Sequence, residues 1–125
     1  LCYDQRSSLN RFRAVGNFEK IWRVVTLVPS GCVASYGQIA DLAGLPGRAR
    51  LTSKALGKAP ESLGLPWYRI VRSTGQIAFP AGSELAQTQR VRLIAEGVHV
   101  NGRQICMQRF GWKPEISTLL YELEF

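Results

Sequence analysis

The sequence predicts an α+β domain organised as a winged helix-turn-helix, mostly helical with small β-hairpins. Three observations carry that expectation. Ser35-Tyr36-Gly37-Gln38 has the capping-box pattern that opens a short helix, and Gly44 with Leu45-Pro46-Gly47 turns that helix into another. Downstream, Asn101-Gly102 separates Val98-His99-Val100 from Arg103-Gln104-Ile105, a hairpin whose Asn-Gly step suits a type I′ turn. The chain has 125 residues, one domain's length and enough for a hydrophobic core.

Residues 1–16 are polar and carry Arg6, Arg11 and Arg13, the composition of a flexible basic arm. They lack the apolar centre of a signal peptide, and no stretch of the chain is long enough to span a bilayer. With Leu1 in place of a methionine, the start is expected to be either trimmed or of cloning origin, and Leu123-Glu124-Phe125 is expected to be a remnant of cloning. The folded unit is expected over 17–114, followed by a tail over 115–125 with three acids and no bases.

Asn17 is expected to cap the first helix. Phe18, Ile21, Trp22, Val25 and Val28 then follow at i, i+3, i+4, i+7 and i+10, one apolar stripe that ends at Pro29-Ser30-Gly31. The third helix is expected from about Arg48 to Gly57. Ala49, Leu51, Thr52, Ala55 and Leu56 fall on one side of it, and Arg50, Ser53, Lys54 and Gly57 on the other. Cations interleaved with small residues let a nucleic-acid backbone come close, whereas a merely solvated helix would more usually carry glutamates among its lysines.

Residues 58–66 read as a loop ending in a rigid Leu65-Pro66 step. Proline fixes its own φ and biases Leu65 to an extended conformation, so Trp67 and Tyr68 are presented at the start of a β-branched run, Ile70-Val71. Ile70-Val71, Ser73-Thr74-Gly75 and Gln76-Ile77-Ala78-Phe79 read as a second small hairpin. Glu84 to Glu96 is a polar helix of weak periodicity stopped by Gly97, and Phe110 to Pro114 an aromatic tail expected to pack on the core.

The formal net charge is +7, and from Arg48 to Arg72 six basic residues stand against one acid, Glu61. Such concentration is the footprint of a polyanion site, with a basic solvated surface as the bland alternative. Cys2, Cys32 and Cys106 are odd in number and lack metal-ligand spacing, which suits a reducing cytoplasm. No Ser-His-Asp order, phosphate loop or metal cluster is present, and His99 is a lone histidine read as solvated or packed. Neither a catalytic residue, a metal nor a cofactor is expected.

Between Phe18 and Trp112 a series of short strings occurs in order. They are Pro29-x-Gly31, Ser35-Tyr36-Gly37-Gln38-Ile39-Ala40, Gly44-x-Pro46, Ala49-Arg50, Leu65-Pro66-Trp67-Tyr68-Arg69-Ile70-Val71, Glu96-Gly97-Val98 and Gln108-Arg109-Phe110-Gly111-Trp112. Each is weak alone; in this order and spacing they resemble the DNA-binding domain of the alkylguanine-DNA alkyltransferases. The resemblance is closer to their inactive relatives, the alkyltransferase-like proteins, which carry tryptophan where the transferases carry the reactive cysteine, here Trp67.

The resemblance implies that the recognition helix enters the minor groove of duplex DNA. Tyr36 would crowd a phosphate and help rotate a nucleotide out of the stack. Arg50 would fill the vacated space, with Ser53 and Lys54 on the same DNA-facing side, and Trp67, Tyr68, Arg69 and Glu96 would surround the extruded O6-alkylguanine. It further implies a monomer that repairs nothing itself and flags the lesion for nucleotide excision repair proteins, in the cytoplasm or on a bacterial nucleoid. Four positions depart from the transferases: Trp67 for cysteine, Tyr68 for the relay histidine, Ala59 for asparagine, and Ser53 for a usual glycine. An indole has no usable lone pair for the displacement, so alkyl transfer at Trp67 is closed. Two other readings stand beside this one. One is a sequence-specific winged-helix regulator with Trp67 and Tyr68 in its core. The other is an enzyme using Tyr68 and Glu96 as acid and base.

Overall fold

The computed structural model describes residues 16–115. The basic arm and acidic tail expected from the sequence therefore lie outside the described residues, apart from Gly16 and Glu115. Helix α1 spans Asn17–Leu27, and its N-cap is Gly16 rather than the expected Asn17. The Gly16 amide donates to Glu19 Oε1 across 3.4 Å, the bond that the third helical residue supplies in a capping box, while glycine has no side chain to accept from the first-turn amides in return. Ile21, Val24, Val25 and Val28 are buried, a stripe one residue wider than the expected one because Val24 also faces inward. Trp22 is half-buried and its indole N–H donates to the Ala55 carbonyl at 2.8 Å, fastening α1 to the helix-turn-helix.

That unit comprises α2 (Tyr36–Leu42) and α3 (Ala49–Lys58). Ser35 caps α2 by accepting from the Gln38 amide at 3.0 Å. The reciprocal half of the expected capping box is missing, because the Gln38 side chain turns away and donates to the Trp112 carbonyl at 2.9 Å. It thereby ties the aromatic tail to α2. Gly44, at φ +80°, ends the helix, and Leu45 N–H reaches back to the Ala40 carbonyl at 2.8 Å. Thr52 is fully buried and its hydroxyl donates to the Tyr36 carbonyl at 3.0 Å, which fixes α3 against the start of α2.

The first sheet differs from the expected hairpin. Strand β1 (Ala34–Ser35) pairs in parallel with β2 (Ile70–Val71), Ala34 beside Ile70 and Ser35 beside Val71. The turn after β2 does form, with Arg72 N–H donating to the Gln76 carbonyl at 2.9 Å. Beyond it, however, the chain runs along the wing: Ile105 N–H donates to Gly75 O at 2.9 Å and Ile77 N–H to Arg103 O at 2.8 Å. Gly75 permits this approach, since it sits at φ +89° where a Cβ would collide with the Ile105 carbonyl.

Helix α4 (Glu84–Ala95) is capped by Ser83, which accepts from the Ala86 amide at 3.2 Å, and is stopped at Gly97 with φ +91°. The wing pairs β3 (Val100–Asn101) with β4 (Gln104–Ile105), Val100 opposite Ile105 and Asn101 opposite Gln104. Its two-residue loop is therefore Gly102-Arg103, not Asn101-Gly102. Gly102 alone has positive φ, +64°, the pattern of a type II′ turn rather than type I′. A short helix α5 (Met107–Phe110) leads to Trp112, whose amide donates to the Val33 carbonyl at 2.7 Å. The core has two halves. One joins α1, α2 and α3 around Ile21, Val25, Ile39 and Ala55, with Trp112 packed on it. The other joins α4 and the wing around Val71, Ile77, Leu93 and Ile105.

Candidate functional site

The outer face of α3 carries Arg50, Ser53, Lys54 and Gly57, all exposed and with no acid among them. Two open grooves flank it. One, of about 750 Å³, lies between Tyr36, Arg50 and Ser53 on one side and the Arg72–Thr74 turn, Gln76 and Ala78 on the other. The second, of about 500 Å³, runs along 47–51 and Lys54. Tyr36 is the first residue of α2 and half-buried; burial raises its phenol above the ordinary range, and the nearby Arg72 guanidinium offsets part of that rise. The structure thus brings Tyr36, Arg50 and Ser53 to one groove and places Lys54 on the adjoining one.

Trp67 and Tyr68 occupy a separate cleft. Pro66 opens a single 3₁₀ turn, Trp67–Arg69, and both aromatic side chains line a cleft of about 390 Å³ with Leu56, Ala59, Pro60 and Glu61. That volume falls within the roughly 300–1,000 Å³ of small-molecule sites. The two rings meet edge to face with centroids 6.0 Å apart, and Phe79 makes a second edge contact with Trp67 at 6.0 Å. Buried Gln89, from α4, fixes the turn from beneath: its Nε2 donates to the Tyr68 and Ile70 carbonyls, each at 2.9 Å. Among the described residues Gln89 Oε1 has no hydrogen-bond partner.

Arg69 and Glu96, expected around the extruded base, do not line this cleft. Arg69 shares the 3₁₀ turn but is drawn off by partners outside the cleft lining. Its guanidinium pairs with Glu96 at 2.5 Å and also donates to the Val28 carbonyl at 2.9 Å. Glu96 in turn accepts from Tyr68 Oη at 2.9 Å and from the Gly31 amide at 3.3 Å. The Arg69 guanidinium foremost, then the Tyr68 hydroxyl and the Gly31 amide, hold the Glu96 carboxyl at about 2 against its partial burial. Burial, then the bond to Glu96, pushes the Tyr68 phenol up. The four-residue set is therefore a two-residue wall backed by an ion pair.

Arg92 is the cleft residue that the sequence reading missed. It lines the opening with its guanidinium 5.4 Å from the Tyr68 ring centre and 6.0 Å from that of Trp67. Gln89, Arg92 and Glu96 stand at i, i+3 and i+7, and that polar stripe on α4 was the available signal for a functional face. Cys32 is half-buried and Cys106 exposed, and neither lines the cleft.

A helix-turn-helix with a wing, an acid-free basic helix face and a separate aromatic cleft defines the class of winged-helix DNA-binding domains. Residues 16–98 match the family model described as 6-O-methylguanine DNA methyltransferase, DNA binding domain, and the chain belongs to that family. It is 43% identical over 95 residues to a DNA base-flipping protein of Escherichia coli (strain K12), spanning 75% of this chain and 72% of that protein. It is 30% identical over 102 residues to Alkyltransferase-like protein 1 of Schizosaccharomyces pombe, spanning 78% and 94% of the two chains. The fold is similar to the crystal structure of the S. pombe protein in complex with damaged DNA containing O6-carboxymethylguanine, with TM-score 0.71 and 31% identity over 78% of this chain and 95% of that one.

Proposed function

We propose that this protein recognises DNA damage without repairing it: it binds duplex DNA through the minor groove and extrudes an O6-alkylguanine into the Trp67–Tyr68 cleft. The observation that carries the reading is that cleft, which has two aromatic walls and, among the described residues, no thiol in its lining, on a fold similar to a protein crystallised with alkylated DNA. Flipping costs a few kcal/mol of lost stacking, and stacking on aromatic side chains together with an inserted side chain offsets it. In this reading Tyr36 crowds a phosphate, Arg50 fills the vacated space, and Ser53 and Lys54 meet the backbone. Trp67 stands at the acceptor-cysteine position, so the lesion is held unchanged and passed to nucleotide excision repair proteins.

The geometry disfavours the two other readings. In a sequence-specific regulator Trp67 and Tyr68 would be core residues, whereas both line an open cleft. An acid–base enzyme would need a basic carboxylate, whereas the Glu96 carboxyl lies near 2 and is held by Arg69, Tyr68 and Gly31. The test is binding to one duplex with and without a single O6-methylguanine across a salt series. The affinity is expected to fall with log salt at a slope of roughly −0.9 per phosphate contacted, and to be higher for the lesion throughout. Equal affinity for both duplexes at every salt concentration would remove the damage-sensor reading.

A further inference from the structure

Arg92 is an exposed cation held beside two aromatic rings, and among the described residues it has no carboxylate partner. Cation–π contact positions a guanidinium while leaving its N–H donors free, because the ring face engages the plane of charge and not the donors. The cleft it lines shares no residue with the two grooves beside α3. The cations that face a DNA backbone along α3 therefore belong to other openings, and Arg92 faces whatever enters the cleft beside Trp67 and Tyr68.

Resting on the damage-recognition reading above, we infer that Arg92 is a specificity-determining residue of the cleft, selecting adducts whose O6 substituent ends in a carboxylate over neutral ones of the same size. A carboxylate matches the planar fork of an arginine in two parallel hydrogen bonds, which a methyl group or an amide cannot make. Glu61 also lines the cleft and opposes an incoming anion, but it is exposed and lies beyond ion-pair distance of Arg92. Exposure limits the gain: a solvent-accessible pair of this kind supplies about a fivefold preference, not the larger factor of a buried one.

The experiment measures affinity for four duplexes carrying guanine, O6-methylguanine, O6-carboxymethylguanine or its neutral isostere O6-carbamoylmethylguanine. The wild-type protein is expected to bind the carboxymethyl adduct about fivefold more tightly than the carbamoylmethyl one. Arg92→Ala should abolish that preference while keeping lesion over plain duplex, Arg92→Lys should retain part of it, and Glu61→Gln should widen it. Equal wild-type affinity for the charged and neutral adducts overturns the inference. So does an Arg92→Ala variant that weakens all four complexes alike with a smaller salt slope, since that marks a phosphate contact. Wild-type protein that binds plain duplex as tightly as any adduct defeats the damage-recognition reading itself, a result separate from either of these.

Discussion

The hydroxyl of Tyr68 donates to Glu96 Oε2 across 2.9 Å, and this bond sets the polarity of everything behind the cleft. Glu96 is the acceptor for Tyr68, for the Gly31 amide and for the Arg69 guanidinium, so it is an anion with its oxygens engaged. Arg69 carries the link onward to the Val28 carbonyl, just past α1. The aromatic wall is thereby braced against α1, the following turn and the end of α4 through one carboxylate.

Glu96 makes stability depend on pH in a definite window. Its carboxyl falls from an ordinary 4.5 to about 2 in the folded state. Between those values the unfolded chain binds more protons than the native one, so stability is fully present above pH 4.5 and is lost as pH falls toward 2. A displacement of this size corresponds to roughly 3 kcal/mol at 1.4 kcal/mol per pH unit, reduced by solvent screening to about 1–2 kcal/mol. Urea midpoints measured from pH 6 down to pH 2 should show this loss, and Glu96→Gln should flatten that part of the profile. An identical slope in the variant would assign the acid sensitivity elsewhere.

Gln89 should matter more to stability than a polar residue on a polar helix would suggest. Gln89→Leu keeps the volume but strips the donor from the Tyr68 and Ile70 carbonyls. Each buried group left unpaired costs about 1–3 kcal/mol. Removing the unpartnered Gln89 Oε1 offsets part of this, leaving a net loss of about 2 kcal/mol. The check is the urea midpoint at neutral pH with an unchanged m-value. A midpoint equal to wild type would mean that the turn is held by packing alone.

The residues that the sequence read well and those it hid differ in the range of the interaction that decides them. The glycine stops at Gly44 and Gly97 and the two faces of α3 are local patterns and stand as read, and the α1 stripe does so but for the added Val24. The partner of Ile70-Val71 is not local: these residues pair with Ala34-Ser35 far upstream, while the segment after their turn is taken up by the wing through the Gln76–Gln104 bridge. The wing shows the same limit at small scale, since a one-residue change of register moves its loop from Asn101-Gly102 to Gly102-Arg103. At the site, adjacency in sequence misled for Arg69, because the partners that hold it, Glu96 and the Val28 carbonyl, are distant in sequence. Gln89 and Arg92 were hidden by α4 itself, which buries Ala86, Gln89 and Leu93 while exposing Leu85, Val91 and Ile94. Its apolar residues thus fail to mark its inner face.

On the proposed mode of binding, Arg50 and Lys54 have different tasks and their variants should separate. Arg50 lines both grooves beside α3, whereas Lys54 lines only the second. Arg50→Ala should weaken lesion binding by about 1–3 kcal/mol through lost stacking and base contact. Lys54→Ala should mainly lower the salt slope by about one phosphate's worth. Affinity for lesion and plain duplex over a salt series distinguishes them, and matching effects would remove Arg50 from its assigned place.

On the proposed placement of Trp67 at the acceptor-cysteine position, Trp67→Cys alone should not create an efficient alkyltransferase. The new thiol starts from a pKa near 8.5, so only a few per cent is thiolate at neutral pH. Arg92, 6.0 Å from the present indole ring, would raise that fraction somewhat, as a nearby guanidinium does. Proton removal is the barrier that remains. Tyr68 already donates its only proton to Glu96, and burial together with that bond keeps it a neutral phenol at pH 7. It is a poor acceptor for a thiol proton. Glu96 is within reach of Tyr68 but occupied by Arg69, and Ala59 in the cleft wall offers no amide. Trp67→Cys combined with Tyr68→His restores a group that can accept from sulfur on one nitrogen while donating to Glu96 from the other. The double variant should therefore gain more methyl transfer than the sum of the single changes, as residues acting as one unit do. Mass spectrometry after incubation with O6-methylguanine DNA reads the outcome as a methyl group on the protein, absent in wild type and slow to appear in Trp67→Cys. Fast, stoichiometric methylation of the single variant would show that no relay is needed and that the missing cysteine was the whole barrier.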